Sequence, residues 1–171
     1  IYTNKQVQLT TRSKYFSPDI NEPGTEVLAV SVHTDGSNFL HRLNANTGEL
    51  IKQIPNTHNY FFTQTKYIDA VTAVAAVRNP QGQMALVKVD LNTGDTENLT
   101  AFSYNVLGYP FVKDGKVYFS MADTYSGSIV PADRTFVVSL QDKKLFRVSD
   151  NVNGIYAPTV SDKGTLVNSA F

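Results

Sequence analysis

Three histidines, His33, His41 and His58, are the only imidazoles in the chain, and any hydrolytic reading begins with them. A serine hydrolase needs a nucleophile beside a base that a third group orients. His33 and His41 flank Thr34-Asp35-Gly36-Ser37, which reads as a hairpin turn and brings the two rings onto paired strands. Polar positions on a solvated strand face account for the same pattern, and that account is preferred. The nucleophile-elbow pattern Gly-x-Ser-x-Gly is absent, and Ser126-Gly127-Ser128 falls in a segment, 124–133, that reads as a loop.

Metal chemistry fares no better. There is no cysteine, and no His-x-x-x-His or His-Glu-x-x-His spacing, so a transition-metal site has no ligand set. Asp90, Asn92, Asp95 and Glu97 crowd together as oxygen ligands for a hard cation would. A calcium loop of the EF-hand type, however, wants Asp or Asn where Gly94 stands, and turn geometry explains these residues better. The carboxylates Asp19/Glu22 and Asp90/Asp95 also lie in turns, where nothing sets them across a cleft. Gly-rich phosphate loops are missing, and Asn98-Leu99-Thr100 matches an N-glycosylation pattern that would be silent in a bacterium. The chain is therefore read as non-catalytic, with no cofactor and no metal.

Composition narrows the alternatives. Fifteen basic residues balance fifteen acidic ones without clustering, so the basic face that nucleic-acid binding requires is not there. No apolar run approaches the ~20 residues of a membrane-spanning helix, so no membrane insertion is expected. The chain opens on Ile1 with no apolar signal-type segment, and reads as a processed or excised piece of a longer protein. Val, Thr, Tyr and Phe are abundant, in short alternating runs broken by Gly, Asn, Asp and Pro. The fold class is all-β.

The arrangement of those strands follows from an internal repeat. Asn46-Thr47-Gly48-Glu49 recurs as Asn92-Thr93-Gly94-Asp95, each between an alternating strand and a short one. Asn-Thr-Gly suits a hairpin, since glycine takes positive φ without steric cost. A third copy, Gln141-Asp142-Lys143-Lys144, has lost its glycine and is expected to form another type of turn. A second marker runs in phase. Pro18, Pro110 and Pro158 each precede a Gly and an apolar strand, and the missing copy falls near Gln64. Each unit then comprises four short strands, the first starting at the proline.

Units of roughly 40 to 50 residues with four strands are the signature of β-propeller blades. The blades are expected at 12–56, 57–101 and 102–150. Residues 1–11 would supply the last strand of a preceding blade, with Gln6 to Thr10 as that strand, and 151–171 the first strands of a further one. Two closures stay open: a ring that continues in further sequence, or a small ring in which the N-terminal strand joins the C-terminal pair. In the first case both terminal strands would be exposed edges, prone to pair with another chain.

Phe16-Ser17-Pro18-Asp19, Asp114-Gly115-Lys116, Ser161-Asp162-Lys163-Gly164 and Asp90-Leu91-Asn92-Thr93-Gly94-Asp95 resemble the repeats of TolB-like propellers, bacterial relatives of the WD-type propellers. That resemblance implies a periplasmic or cell-surface location. It also implies kinship with the accessory propellers of oligopeptidase-type hydrolases, whose catalysis lies in another domain. The expected function is binding of a protein, peptide or glycan, with Tyr125, Ser126, Ser128 and Asp133 of the third-blade loop as the candidate contacts. The aromatic clusters at Tyr60-Phe61-Phe62 and from Tyr104 to Phe119 divide between inter-blade packing and an exposed recognition surface.

Overall fold

A computed structural model describes residues 6–124, 131–149 and 155–170. It holds strands and turns only, and every sheet is antiparallel. The first blade is β1 (Tyr15–Ile20), β2 (Glu26–Val32), β3 (Asn38–Asn44) and β4 (Leu50–Gln53), hydrogen-bonded in chain order. The second is β5 (Phe61–Tyr67), β6 (Thr72–Arg78), β7 (Met84–Asp90) and β8 (Thr96–Asn98). The third is β9 (Leu107–Lys113), β10 (Lys116–Thr124), β11 (Pro131–Ser139) and β12 (Leu145–Arg147). A last sheet pairs β13 (Ile155–Val160) with β14 (Leu166–Ala170).

The two faces of the second strand explain why the blades stack. Alternate residues along a strand point to opposite sides. On β6, Ala73, Ala75 and Val77 pack with Leu28, Val30 and Leu40 of the first blade, while Val74 and Ala76 pack with Val117 and Phe119 of the third. All of these are fully buried. The middle blade is therefore apolar on both faces, which a single sheet in water could not sustain.

The proline marker turns out to lie within a strand. β1, β9 and β13 each begin before their proline, and a register shift brackets it: Phe16/Asp19 in β1, Gly108/Phe111 in β9, Tyr156/Thr159 in β13. The residue before each proline is left-handed, with φ of 48° at Ser17, 53° at Tyr109 and 52° at Ala157. A bulge is the place where a strand tolerates a residue with no N–H. The second blade keeps the bulge, between Phe62 and Gln64, with Gln64 in the proline's place.

These bulges also tie neighbouring blades together. The N–H of Tyr109 is turned toward the second blade and donates to Gln64 Oε1. The N–H of Ala157 donates to Ser120 Oγ at 3.0 Å. Asp19, next to the first bulge, accepts from Tyr67 N–H and from Lys66 Nζ, both at 2.8 Å. The Pro-Asp pair that reads as a turn signal is thus part of an inter-blade clamp.

One further expectation is corrected. The third turn is not of another type. Lys143 N–H bonds Ser139 C=O just as Gly48 bonds Asn44 and Gly94 bonds Asp90. Lys143 occupies the glycine's place at φ 56° and reaches back to Glu97 of β8, Nζ to Oε1 2.6 Å. At the other end, residues 6–10 form no strand ladder. The Leu9 carbonyl instead abuts Gly48, as the Pro55 carbonyl abuts Gly94 one repeat later. The segment thus lies against the first blade where a preceding outer strand would end, without a third strand beside it to pair with.

Candidate functional site: the loop-bearing face

Because the strands alternate in direction, the turns between second and third strands and the connections between blades emerge on one common face. On it lie the turns at 33–37 and 79–83, the connections at 54–60 and 99–106, and the ends of β10 and β11 at Thr124 and Pro131. The opposite face carries only short turns, such as Asp114-Gly115.

The histidines stand on the loop-bearing face of the first blade. Their rings approach to 6.1 Å, as the hairpin at 34–37 required. His41 is 5% exposed, and both of its nitrogens are engaged: Nδ1 by Tyr15 Oη at 2.9 Å and Nε2 by Gln53 Oε1 at 3.0 Å. An amide oxygen only accepts, so Nε2 carries the proton and Nδ1 accepts from the phenol. The Asp35 carboxylate is spent on Ser37, at 2.9 Å to its N–H and 2.6 Å to its hydroxyl. His41 therefore has an amide and a phenol as partners, where a hydrolytic set needs a serine and a carboxylate.

Burial holds the His41 imidazolium below the usual histidine range, with a smaller push from His33 and a counteracting bond to Gln53. A lowered cationic pKa means that the unfolded chain takes a proton that the folded chain refuses. Stability should therefore be unaffected by this ring above pH ~6.5 and fall as the pH drops through that value. NMR titration should find His41 protonating below 6.5; a midpoint above it would contradict the buried, neutral ring.

The acidic quartet does not converge either. Asp90 Oδ1 accepts from the N–H groups of Asn92 and Thr93, and Asp95 Oδ2 from Thr93 Oγ1. Glu97 pairs across to Lys143. Bonds from Thr93 and Asn92 hold the Asp90 carboxyl below its ordinary range. These residues stabilise the turn.

A notch of about 330 Å³ opens on this face between the second and third blades. Gln64 and Arg78 of the second blade line it, together with Val106, Tyr109, Ser120 and Asp133 from the third blade and the connection leading to it. Tyr109 is 50% exposed, and Tyr104 on the same connection 75%. Phe61, the cross-strand partner of Arg78, is exposed beside them. Arg78 makes no hydrogen bond or ion pair with any described residue, and neither does the Asp133 carboxylate. Gly108 permits the arrangement, since a Cβ there would overlap the Gln64 amide oxygen.

Of the residues singled out from sequence, Asp133 lines this notch, on β11 opposite Ala122. Tyr125, Ser126 and Ser128 lie outside the described residues. Sequence reasoning missed Gln64 and Arg78 as site residues, and held Tyr109 within the aromatic cluster divided between packing and recognition. The signal for Gln64 was its place in the repeat: a side chain with an amide stands where the other units have proline.

No protein-family model and no curated protein matches the sequence. Solved structures do. A putative TolB from Agrobacterium tumefaciens is similar over 91% of this chain and 53% of its own, at 15% identity and TM-score 0.69. TolB from Acinetobacter baumannii is similar over 86% and 35%, at 15% identity and TM-score 0.64. The β-propeller domain of the Trilobed protease from Pyrococcus furiosus is similar over 92% and 50%, at 13% identity and TM-score 0.60. The chain thus spans about half, or less, of the length of these structures. With four-stranded antiparallel blades stacked face to face and these neighbours, the chain has the β-propeller fold, in three complete blades and a two-stranded sheet.

Proposed function

We propose that the chain is a non-catalytic binding module that offers its loop-bearing face to a protein, peptide or glycan, within a bacterial envelope protein of the periplasm or cell surface. One observation carries the reading. β10 and β11 run for nine residues each, against seven or fewer in every other described strand, so the third blade's paired ladder extends further than that of any other blade. An extended connection on a rigid scaffold is where recognition is usually placed. Tyr125, Ser126 and Ser128 on that connection, with Asp133 at its foot, are the assigned contacts. The partners of His41 support the non-catalytic part of the reading. The edge of β14 that pairs with no strand among the described residues supports a second mode of association, by strand pairing.

Replacing residues 125–130 with a Gly-Ser linker tests the assignment. Affinity for a partner bound by the unaltered chain should fall at least about tenfold, one well-packed contact's worth. Unchanged affinity would remove the loop from the site.

A second reading, an accessory propeller of a larger hydrolase, is supported by the similarity to a protease's propeller domain. The gene's flanking sequence decides it. A Gly-x-Ser-x-Gly hydrolase region after the propeller, or a His-Glu-x-x-His region before it, would establish that arrangement.

A further inference from the structure

We infer that the notch between the second and third blades is a recognition site for a peptide segment that presents a single carboxylate flanked by aromatic or large apolar side chains. This rests on the binding-module reading and names its ligand class. Three features of the notch converge on it.

The first is the cation. Arg78 ends β6, lines the notch and has no hydrogen-bond or ion-pair partner among the described residues. Cations elsewhere at the blade junctions are already paired, as at Lys66–Asp19, Lys113–Asp162 and Lys143–Glu97. A guanidinium offers a planar fork that matches a carboxylate bidentately, which an ammonium does not.

The second is the apolar rim. Tyr109 and Val106 line the notch, exposed Phe61 is the cross-strand neighbour of Arg78, and exposed Tyr104 lies on the connection that leads to β9; with Tyr109, these are three of the four large aromatic side chains exposed among the described residues. Arg and Tyr together are the composition of interface hot spots, and an apolar surround strengthens an ion pair by excluding water. The volume, about 330 Å³, is at the lower end of ligand sites and admits a side chain or two rather than a folded domain.

The third is the opposing charge. Asp133 lines the notch from the third blade, and its carboxylate likewise has no partner among the described residues. It would repel a second acid placed beside the first, so the site selects one carboxylate over an acidic run or a phosphodiester chain. Ser120 and Gln64 add a hydroxyl and an amide for the peptide backbone.

The test uses two blocked tripeptides, N-acetyl-Phe-Glu-Phe-amide and N-acetyl-Phe-Gln-Phe-amide, titrated into the ¹⁵N-labelled chain. The amides of Gly108 and Tyr109 report on the notch, and that of Gly24, on the opposite face, serves as control. The Glu peptide should shift the notch amides saturably and bind about tenfold tighter than the Gln peptide, the contribution of one charge-assisted bond pair. Arg78→Gln, an exposed substitution that leaves the blades packed, should bring the two affinities together. Asp133→Asn should keep the preference and newly admit the Phe-Glu-Glu-Phe peptide. Equal binding of both peptides, a preference that survives Arg78→Gln, or no saturable shift would each overturn the inference. If these fail while the 125–130 replacement still abolishes partner binding, the binding-module reading stands and only the ligand class falls.

Discussion

Gly94→Ala is expected to destabilise the chain by about 3 kcal/mol or more, the largest effect of any single methyl addition to the repeat turns. Two costs combine. Gly94 has φ +82°, and a residue with a Cβ loses ~1–2 kcal/mol in that conformation. The added Cβ would also overlap the carbonyl oxygen of Pro55 and lie 2.9 Å from its Cβ, so the end of the first blade has to move off the second. Gly82 is the control: its φ is +84°, yet nothing lies within 4 Å of a Cβ, so Gly82→Ala should cost only the conformational part. Gly48→Ala should fall between, because the Leu9 carbonyl it meets belongs to a segment outside any ladder and free to yield. Denaturant unfolding of the three variants gives the ranking; equal losses at Gly94 and Gly82 would mean that the blades do not meet there.

Asn38→Ala should rank with it, at about 2–4 kcal/mol. Asn38 is buried at the start of β3 and makes a two-way bond to the second blade, Nδ2 to Phe62 C=O and Oδ1 from Phe62 N–H, each at 3.0 Å. Asn56 repeats the device on the connection, binding Tyr60 through both amide groups and donating to the Asn38 carbonyl. Removing the Asn38 amide strands two backbone groups beside Phe62, which is 2% exposed, and an unpaired buried group costs ~1–3 kcal/mol. Asn38→Asp keeps the acceptor but faces the Phe62 carbonyl with a carboxylate, so it should not rescue. Amide exchange at Phe62 reports the loss directly; an unchanged exchange rate would show that the bond is not formed in solution.

The blade architecture was legible because the turns that end each unit demand particular residues. Asn-Thr-Gly needs its glycine for positive φ, and at Gly48 and Gly94 also because the preceding segment passes too close for a Cβ. The period was therefore written in residues that geometry constrains. The third copy misled because Lys143 adopts the same left-handed turn, and a lysine there carries no sequence signal of it. The proline was read as a strand start because proline ordinarily interrupts a ladder. Only the pairing registers show it inside a bulge.

The site was less legible for a different reason. A loop announces itself by length and polarity, which pointed to 125–130 and to Asp133. The notch is assembled from residues far apart in the chain, Gln64, Arg78, Tyr109 and Ser120, each ordinary in its own strand. What unites them is the bulge in β9, which turns the Tyr109 N–H toward Gln64. That juxtaposition arises from blade stacking and has no local sequence pattern.

The central claim, that the chain binds through its loop-bearing face, is tested most directly by photo-crosslinking from both ends of one blade. A benzophenone side chain at Gln81, at the tip of the turn between β6 and β7, samples the loop-bearing face. The same group at Val71, exposed before β6 on the opposite face, samples the other. In an extract of bacterial envelope proteins, discrete adducts are expected from position 81, lost when 125–130 is replaced, and none from position 71. Adducts from position 71, or indistinguishable adducts from both, would contradict the account.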